Sequence, residues 1–362
     1  MMDIQQLARP EILSLEPYES ARSSAAADGV LLNANEAPFT LAGDPAFEGL
    51  ALNRYPQPQP AELKRRLADI YAVDEANLLV TRGSDEGIDL LLRVFCRAGR
   101  DAMIECPPCF GMYRIAAAIQ GAAVVSVPRT EDNDWQIDVE ALCSTIKASA
   151  ACRLVFLTSP NNPTGDLLAP GSLLRILAAC EDRALVVLDE AYIEFCDMQS
   201  ACGLISQYPQ LVVLRTLSKA WAAAGLRCGT VIADPVVISL LKRVMAPYPL
   251  SSTSIDAAMQ VTGGDAPGQQ AALLDLIRNG KRDLLDFLGG RSWVSRVWPG
   301  VANFVLVGVD DAGALVAFCA DAGVRIRDFS STPRLNNCVR ITIGSPSEMS
   351  ILKTTLMAYG DR

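Results

Sequence analysis

Lys219 stands in Arg215-Thr-Leu-Ser-Lys-Ala-Trp-Ala-Ala-Ala-Gly-Leu-Arg-Cys-Gly229, a weakly charged segment with Ser218 before it and Arg227 eight residues on. A lysine in a desolvated pocket gives up its proton readily and becomes an amine nucleophile, the form that makes a Schiff base with an aldehyde. Arg227 offers a planar fork of donors that matches a phosphate. Amine and fork together suit a phosphorylated aldehyde, and pyridoxal phosphate (PLP) is a cofactor of that description. Taken alone, an ordinary surface lysine accounts for the segment more simply, so the reading depends on what the rest of the chain supplies.

Four other segments carry side chains that such a cofactor needs. Leu188-Asp-Glu-Ala-Tyr192 ends a strongly apolar run with a carboxylate. A buried carboxylate requires a cationic partner. A protonated pyridine nitrogen is one candidate, with Asp189 maintaining the electron sink, and a structural arginine is another. The Tyr192 hydroxyl suits a phenolate oxygen on the same ring. Ser159-Pro-Asn-Asn-Pro-Thr-Gly165 fixes a rigid turn and presents the Asn162 amide to that oxygen, although turn-making alone explains most Asn-Pro pairs. Gly83-Ser-Asp-Glu-Gly87 opens an amphipathic helix, whose free N–H groups, dipole and Ser84 hydroxyl form a phosphate seat. A plain N-cap, Ser84 with Glu86 in the first turn, explains the same letters. Phe110, in Cys106-Pro-Pro-Cys-Phe110, reads either as an aromatic plate against a flat ring or as core.

Composition removes competing chemistry. The chain of 362 residues contains no histidine, which excludes a Ser-His-Asp triad, a Cys-His dyad and histidine metal sites. Proton transfer falls to Lys, Asp, Glu, Tyr, Cys or a cofactor, and that raises the weight on Lys219. A net charge of −9 without any block of Lys and Arg argues against a nucleic-acid surface. Eleven cysteines without framework spacing fit reduced thiols. The Cys106–Cys109 pair lacks a second CxxC and any histidine, so a metal or thioredoxin-like role is disfavoured. Ser144-Thr-Ile-Lys147 matches SxxK but lies on a predicted helix without companion motifs. Neither GxGxxG nor GxxxxGK[ST] occurs. The first residues have no signal-peptide run and no stretch is long and apolar enough to span a bilayer, so a cytoplasmic protein without a membrane partner is expected.

These residues need a scaffold that brings segments far apart in sequence to one place. Between about residues 78 and 232, short runs rich in Val, Leu and Ile alternate with segments at helical spacing. The runs are Leu78–Thr81, Ala102–Glu105, Ala122–Val127, Leu154–Leu157, Leu185–Leu188 and Leu211–Leu214. Runs apolar on both faces are strands covered by helices on either side. The alternation predicts an α/β fold with a mostly parallel sheet, which binds ligands beyond the carboxyl ends of its strands. The candidate residues lie at those ends. After Pro249 the pattern changes to a long helix over about 266–289, strands at Asn303–Val307 and Val339–Ile343, and helices near 311–322 and from about 346. The expected organisation is an irregular, proline-bearing arm over 1–45 that joins the small domain, a large cofactor domain over 46–255 and a smaller α+β domain over 256–362.

Taken jointly, and with Pro17-Tyr-Glu-Ser-Ala-Arg22, Asn33-Ala-Asn-Glu36, Asn53-Arg-Tyr-Pro56 and Arg340-Ile-Thr-Ile-Gly344, the chain resembles the fold type I aminotransferases, and among them the histidinol-phosphate family, over nearly its whole length. The resemblance implies that Lys219 carries PLP and moves a proton between the substrate α-carbon and C4′. It implies further that Asp189 partners the ring nitrogen and that Tyr192 and Asn162 contact O3′. Phe110 stands where the family often has a tyrosine against the ring, so stacking is kept and a hydroxyl is lost. The phosphate is assigned to Ser84, Asp85, Glu86, Ser218 and Arg227, with Tyr55 reaching it from a neighbouring subunit, which implies a homodimer. Arg340 matches the arginine that clamps the substrate anion, with Arg327, Tyr18 and Asn35 beside it. The implied activity is amino transfer between L-histidinol phosphate and 2-oxoglutarate. Aromatic aminotransferases and threonine-phosphate decarboxylases of the same fold use the same cofactor residues, and a non-catalytic oligomeric binding protein is the reading from another class.

Overall fold

The computed structural model describes residues 30–32, 35 and 56–360, so Tyr18, Tyr55 and most of the expected N-terminal arm lie outside the described residues. The strands are, in chain order, β1 (Val30–Leu31), β2 (Leu78–Thr81), β3 (Ala102–Glu105), β4 (Ala123–Ser126), β5 (Cys152–Thr158), β6 (Leu185–Asp189), β7 (Leu211–Thr216) and β8 (Gly229–Ile232). They are followed by β9 (Val294–Trp298), β10 (Phe304–Val309), β11 (Val324–Arg325), β12 (Arg327–Asp328) and β13 (Cys338–Thr342).

Seven of these form one sheet in the order β2-β8-β7-β6-β5-β3-β4. All of its neighbours are parallel except β8, which runs antiparallel to both β2 and β7. The apolar runs are buried on both faces because alternate side chains enter different cores. Val155, Leu157, Val186, Leu188 and Val213 pack on one side of the sheet. Leu154, Phe156, Val187, Val212 and Leu214 pack on the other. Burying each such side chain stabilises the fold by about 1.5–3 kcal/mol, so the central strands cannot slip by one residue without exchanging their two core faces. The run Ala122–Val127 departs from expectation: as edge strand β4, its residues are half-buried or exposed, because no strand covers its outer side. Gly229–Ile232 was not among the expected runs. It is short and glycine-initiated, and it pairs because the loop after β7 returns it into the sheet.

The second sheet, β12-β13-β10-β9, is antiparallel. The helix Ala266–Leu288 buries Leu273, Ile277, Leu284 and Leu288, a stripe at helical spacing, in a core shared with Val305, Val307, Val339 and Ile341. β1 pairs in parallel with β11 and brings the chain near Asn35 to this unit. No helix among the described residues is long and apolar enough to cross a membrane.

The edge formed by the carboxyl ends of β2, β3, β5, β6 and β7 coincides with the start of β8, since Gly229 is in register with both Thr81 and Thr216. Close approach here requires glycine. A Cβ on Gly229 would lie 2.6 Å from the Gly83 carbonyl carbon and 2.7 Å from the Ser84 nitrogen. Both are backbone atoms and cannot swing away. Gly229→Ala is therefore expected to destabilise the protein by about 1–3 kcal/mol, the usual cost of overpacking, and chemical denaturation of the two proteins checks it.

Candidate active site

The helix Gly83–Phe95 follows β2 after a single residue, and its N-cap, Arg82, makes no side-chain cap bond. Ser84 therefore sits inside the first turn, and the N-cap role considered for it is not observed. A helix leaves its first N–H groups without intrahelical acceptors; here Gly83, Ser84 and Asp85 carry them. The Glu86 carboxylate is engaged by Arg82, accepting from its backbone N–H at 2.7 Å and from its guanidinium at 2.7 and 3.1 Å. Glu86 thus braces the turn, and this segment meets an anion through backbone N–H groups and the Ser84 hydroxyl.

Arg227 comes to the same turn from the other end of the 217–228 loop, in left-handed backbone conformation with φ of 51°. Its Nη2 lies 3.0 Å from Asp85 Oδ2, and a Cβ on Gly83 would be 2.7 Å from that same nitrogen. Gly83 itself has φ of +71°, so glycine there serves both the backbone angle and the guanidinium. Ser218 is buried, and its Oγ lies 2.9 Å from Thr216 Oγ1. Lys219 is half-buried one residue further, with Nζ 5.9 Å from the centre of the Tyr192 ring. β7 and β8 are antiparallel neighbours, which explains how residues eight apart in sequence reach one end of the sheet.

Asp189 ends β6 and is 3% exposed. Its Oδ2 accepts from the Tyr113 hydroxyl at 2.7 Å and its Oδ1 from the Ala191 N–H at 3.1 Å. It has no ion-pair partner among the described residues, so the structural-arginine alternative is not what the fold does. The arginine near this segment, Arg215, takes the next carboxylates instead, Glu194 at 2.7 Å and Glu190 at 3.6 Å. Burial pushes the Asp189 carboxyl up to about 6 from its ordinary value, while the Tyr113 and Ala191 hydrogen bonds and the nearby Lys219 oppose that rise. A carboxylate held in this way accepts a protonated ring nitrogen at low cost, because the ring cation neutralises the buried charge.

Three residues from remote segments meet at Tyr192. Its hydroxyl oxygen accepts from Asn35 Nδ2 at 3.2 Å and Asn162 Nδ2 at 3.3 Å. With both lone pairs engaged, its own proton is left to donate. Asn162 is bridged onward, since its Oδ1 accepts from Arg340 Nη1. Arg340 is buried between the rings of Phe304 and Phe329, 5.1 and 5.3 Å from their centres. Arg327 is directly opposite Arg340 in the β12–β13 register. Directly paired residues share a face of the sheet, so the two arginine side chains leave β12 and β13 on the same side. Asn35 is held by Thr342 and Asn303, its N–H donating to Thr342 Oγ1 at 3.1 Å and its carbonyl accepting from Asn303 Nδ2 at 3.1 Å. Phe110 follows β3 and is half-buried, with an edge contact to Tyr113 at 5.7 Å.

Tyr113 and Thr158 were not singled out by the sequence. Tyr113 lies on the buried face of an amphipathic helix, Met112–Gln120, where its apolar neighbours make it read as core; the one signal was a phenol among them. All eleven cysteines are free, burial pushes the Cys106 thiol up to about 12 and raises that of Cys109, and no metal-holding group of side chains occurs among the described residues.

A phosphorylated pyridine aldehyde fits this set of groups: a glycine-lined turn of N–H groups with a guanidinium, an amine, a buried carboxylate without an ion pair among the described residues, and a phenol. A fold with the ligand edge of a parallel sheet built in this way defines a PLP-dependent enzyme. The family description "aminotransferase class I and II" matches residues 27–356, and the chain belongs to that family. It is 40% identical over 350 residues to histidinol-phosphate aminotransferase of Pectobacterium carotovorum, covering 96% of each chain. It is 42% identical over 357 residues to the enzyme of that name from Aeromonas hydrophila, covering 98% of each. A solved structure of histidinol-phosphate aminotransferase from Sinorhizobium meliloti in complex with pyridoxal-5′-phosphate shares the fold, with a TM-score of 0.84, 24% identity and 97% of each chain covered.

The raised Asp189 carboxyl has a consequence for the cofactor-free protein. An acid whose folded value lies near 6, above its ordinary 3.8, binds its proton more tightly folded than unfolded. The fold is therefore favoured as pH falls through 6 towards 4 and bears the cost of the charge above 6. Asp189→Asn is expected to stabilise the cofactor-free protein by up to about 3 kcal/mol at about pH 8, with the gain vanishing near pH 4. Urea denaturation at both pH values measures it, and an equal effect at the two would contradict it.

Proposed function

We propose that this protein is a PLP-dependent transaminase that interconverts L-histidinol phosphate and 2-oxoglutarate with imidazole-acetol phosphate and L-glutamate, and acts in histidine biosynthesis as a cytoplasmic homodimer. The observation that carries the substrate is the 40–42% identity to histidinol-phosphate aminotransferases along almost the entire chain. Arg327 opposite Arg340 supplies the chemical sense of that choice, because a dianionic phosphate engages more than one guanidinium. In this reading residues 46–255 hold the cofactor and 256–362 bring the two arginines to it.

PLP, when bound, supplies an aldehyde carbon for the amino group and a protonated ring that withdraws the electron pair left on the α-carbon. The chain's own residues do the rest. Lys219 Nζ is the base that takes the proton from the α-carbon of the donor and returns one in the second half of the reaction. Asp189 keeps the ring nitrogen protonated by offering it a buried anion. The Tyr192 hydroxyl, its oxygen held by Asn35 and Asn162, donates to the ring oxygen. The first turn at Gly83–Asp85, with Ser218 and Arg227, would hold the phosphate, and Phe110 would lie against the ring. Arg340 and Arg327 hold the phosphate of the donor and then a carboxylate of the acceptor. One lysine serves both halves, so the first product leaves before the second substrate enters. The Asn162 amide lies between Tyr192 and Arg340, so seating of the substrate anion is transmitted to the ring oxygen through one side chain.

Purified protein given histidinol phosphate and 2-oxoglutarate is expected to form glutamate and to show visible absorption from bound PLP, both absent from Lys219→Ala. No glutamate, alongside turnover of phenylalanine or release of carbon dioxide from threonine phosphate, would reassign the substrate. A colourless protein that takes up no PLP would remove the enzyme reading.

The shared site is tested separately. Tyr55→Phe and Lys219→Ala subunits, mixed and allowed to exchange, are expected to give hybrids with one intact site and activity above the sum of the two parents. Activity equal to that sum would place Tyr55 in its own subunit's site or in none.

A further inference from the structure

Tyr113 is fully buried, and a buried phenol is tolerated where its hydroxyl finds a partner. Here the partner is the functional carboxylate. The hydroxyl donates to Asp189 Oδ2 at 2.7 Å and lies 2.9 Å from Thr158 Oγ1. Thr158 stands beside Asp189 in the parallel register of β5 and β6, so strand pairing sets the two groups side by side and the helix Met112–Gln120 brings Tyr113 onto both. The ring is fixed independently of its hydroxyl, stacked on Phe156 at 4.7 Å and 18° and edge-on to Phe110 at 5.7 Å.

We propose that Tyr113 is a positioning residue for the cofactor's ring nitrogen, acting through Asp189: its hydroxyl keeps that carboxylate ionised and turned so that its unused lone pairs face the site. The proposal rests on the PLP reading above. With Tyr113 on Oδ2 and the Ala191 N–H on Oδ1, the carboxylate plane is fixed from both ends. The direction of donation follows from charge. A hydroxyl has one proton to give, and an ionised Asp189 draws it from Tyr113, leaving the Tyr113 oxygen to accept from Thr158. The reverse order would require Asp189 to hold the proton.

The acid–base tendencies agree with the first order. The Tyr113 bond pulls the Asp189 carboxyl down against the burial that raises it, and burial with the nearby Asp189 charge holds the Tyr113 phenol well above its ordinary value. Tyr113 thus stays a donor throughout the neutral range. The other charged and titratable groups facing Asp189 are Lys219, which lowers its carboxyl, and Asp85, which raises it. Tyr192 feels Asp189 from the same segment, and Cys109 faces Tyr113. None of these is altered by removing the Tyr113 hydroxyl.

Tyr113→Phe keeps both ring contacts and deletes only that hydroxyl. Equilibrium dialysis of PLP against the cofactor-free protein between about pH 5 and pH 8.5 reads the effect without turnover. The variant is expected to bind PLP about tenfold more weakly near pH 7.5, the scale of a hydrogen bond to a charged group. The pH below which affinity falls away should rise by about one unit. Thr158→Val, which leaves Tyr113 its acceptor, should move that midpoint in the same direction by less. A variant with wild-type affinity and wild-type pH midpoint overturns the role of Tyr113, as does a lowered melting temperature with no shift in midpoint, the mark of a purely structural residue. A wild-type protein that binds no PLP at any pH removes the functional reading and this proposal with it.

Discussion

A carboxylate buried at the end of a central strand, with no ion pair among the described residues, is the constraint around which this site is organised. Asp189 is almost wholly shielded from water, and its neighbours give it two hydrogen bonds but no ion pair. The fold therefore carries a charge that it compensates only in part, which is the feature the proposed pairing with a protonated ring rests on. The contrast with Glu190 is instructive. One residue further along, just beyond β6, a carboxylate is matched by Arg215 within the protein. Adjacent acids thus have different partners, Glu190 an arginine and Asp189 a phenol and a backbone N–H.

The turn after β2 follows a different rule, since close backbone approach and not side-chain pairing sets its geometry. Gly229 and Gly83 let the start of β8 lie against the first turn of the helix after β2, at distances no Cβ would permit. That contact brings Arg227 over the N–H groups of the turn. An antiparallel strand inserted in an otherwise parallel sheet is what makes the loop from Lys219 to Arg227 double back, so amine and guanidinium approach one ligand from the same edge.

The substrate end depends on the second sheet. Arg340 and Arg327 are neighbours across β13 and β12, and Asn35 is tied to Thr342 and Asn303 of the same unit. Asn162, at the end of β5, joins this unit to Tyr192 through one amide group. Tyr192 and Arg340 are thereby linked through the Asn162 amide by direct hydrogen bonds.

Much of this was legible in the sequence. The apolar runs located β2, β3, β5, β6 and β7 because a strand buried on both faces needs a continuous run, and motif order placed Lys219, Asp189, Tyr192, Asn162 and Arg227 after strands or beside a turn. Other features were not legible, because they are products of pairing and not of pattern. Exposure of β4 follows from its place at the sheet edge, and the strand at Gly229 exists because β2 and β7 offer it two neighbours. Whether Ser84 caps its helix depended on where the helix begins. Which carboxylate met the structural arginine depended on how the chain beyond β6 packs against Arg215. The hydrogen bond from Tyr113 to Asp189 spans 76 residues, and nothing local distinguishes that phenol from its apolar neighbours. The sequence by itself determined which chemical groups were present and which strand ends carried them, since composition and periodicity are local properties. Tertiary structure alone decided which of those groups share a proton, a charge or an anion, because such pairings depend on distances that only the packed sheet establishes.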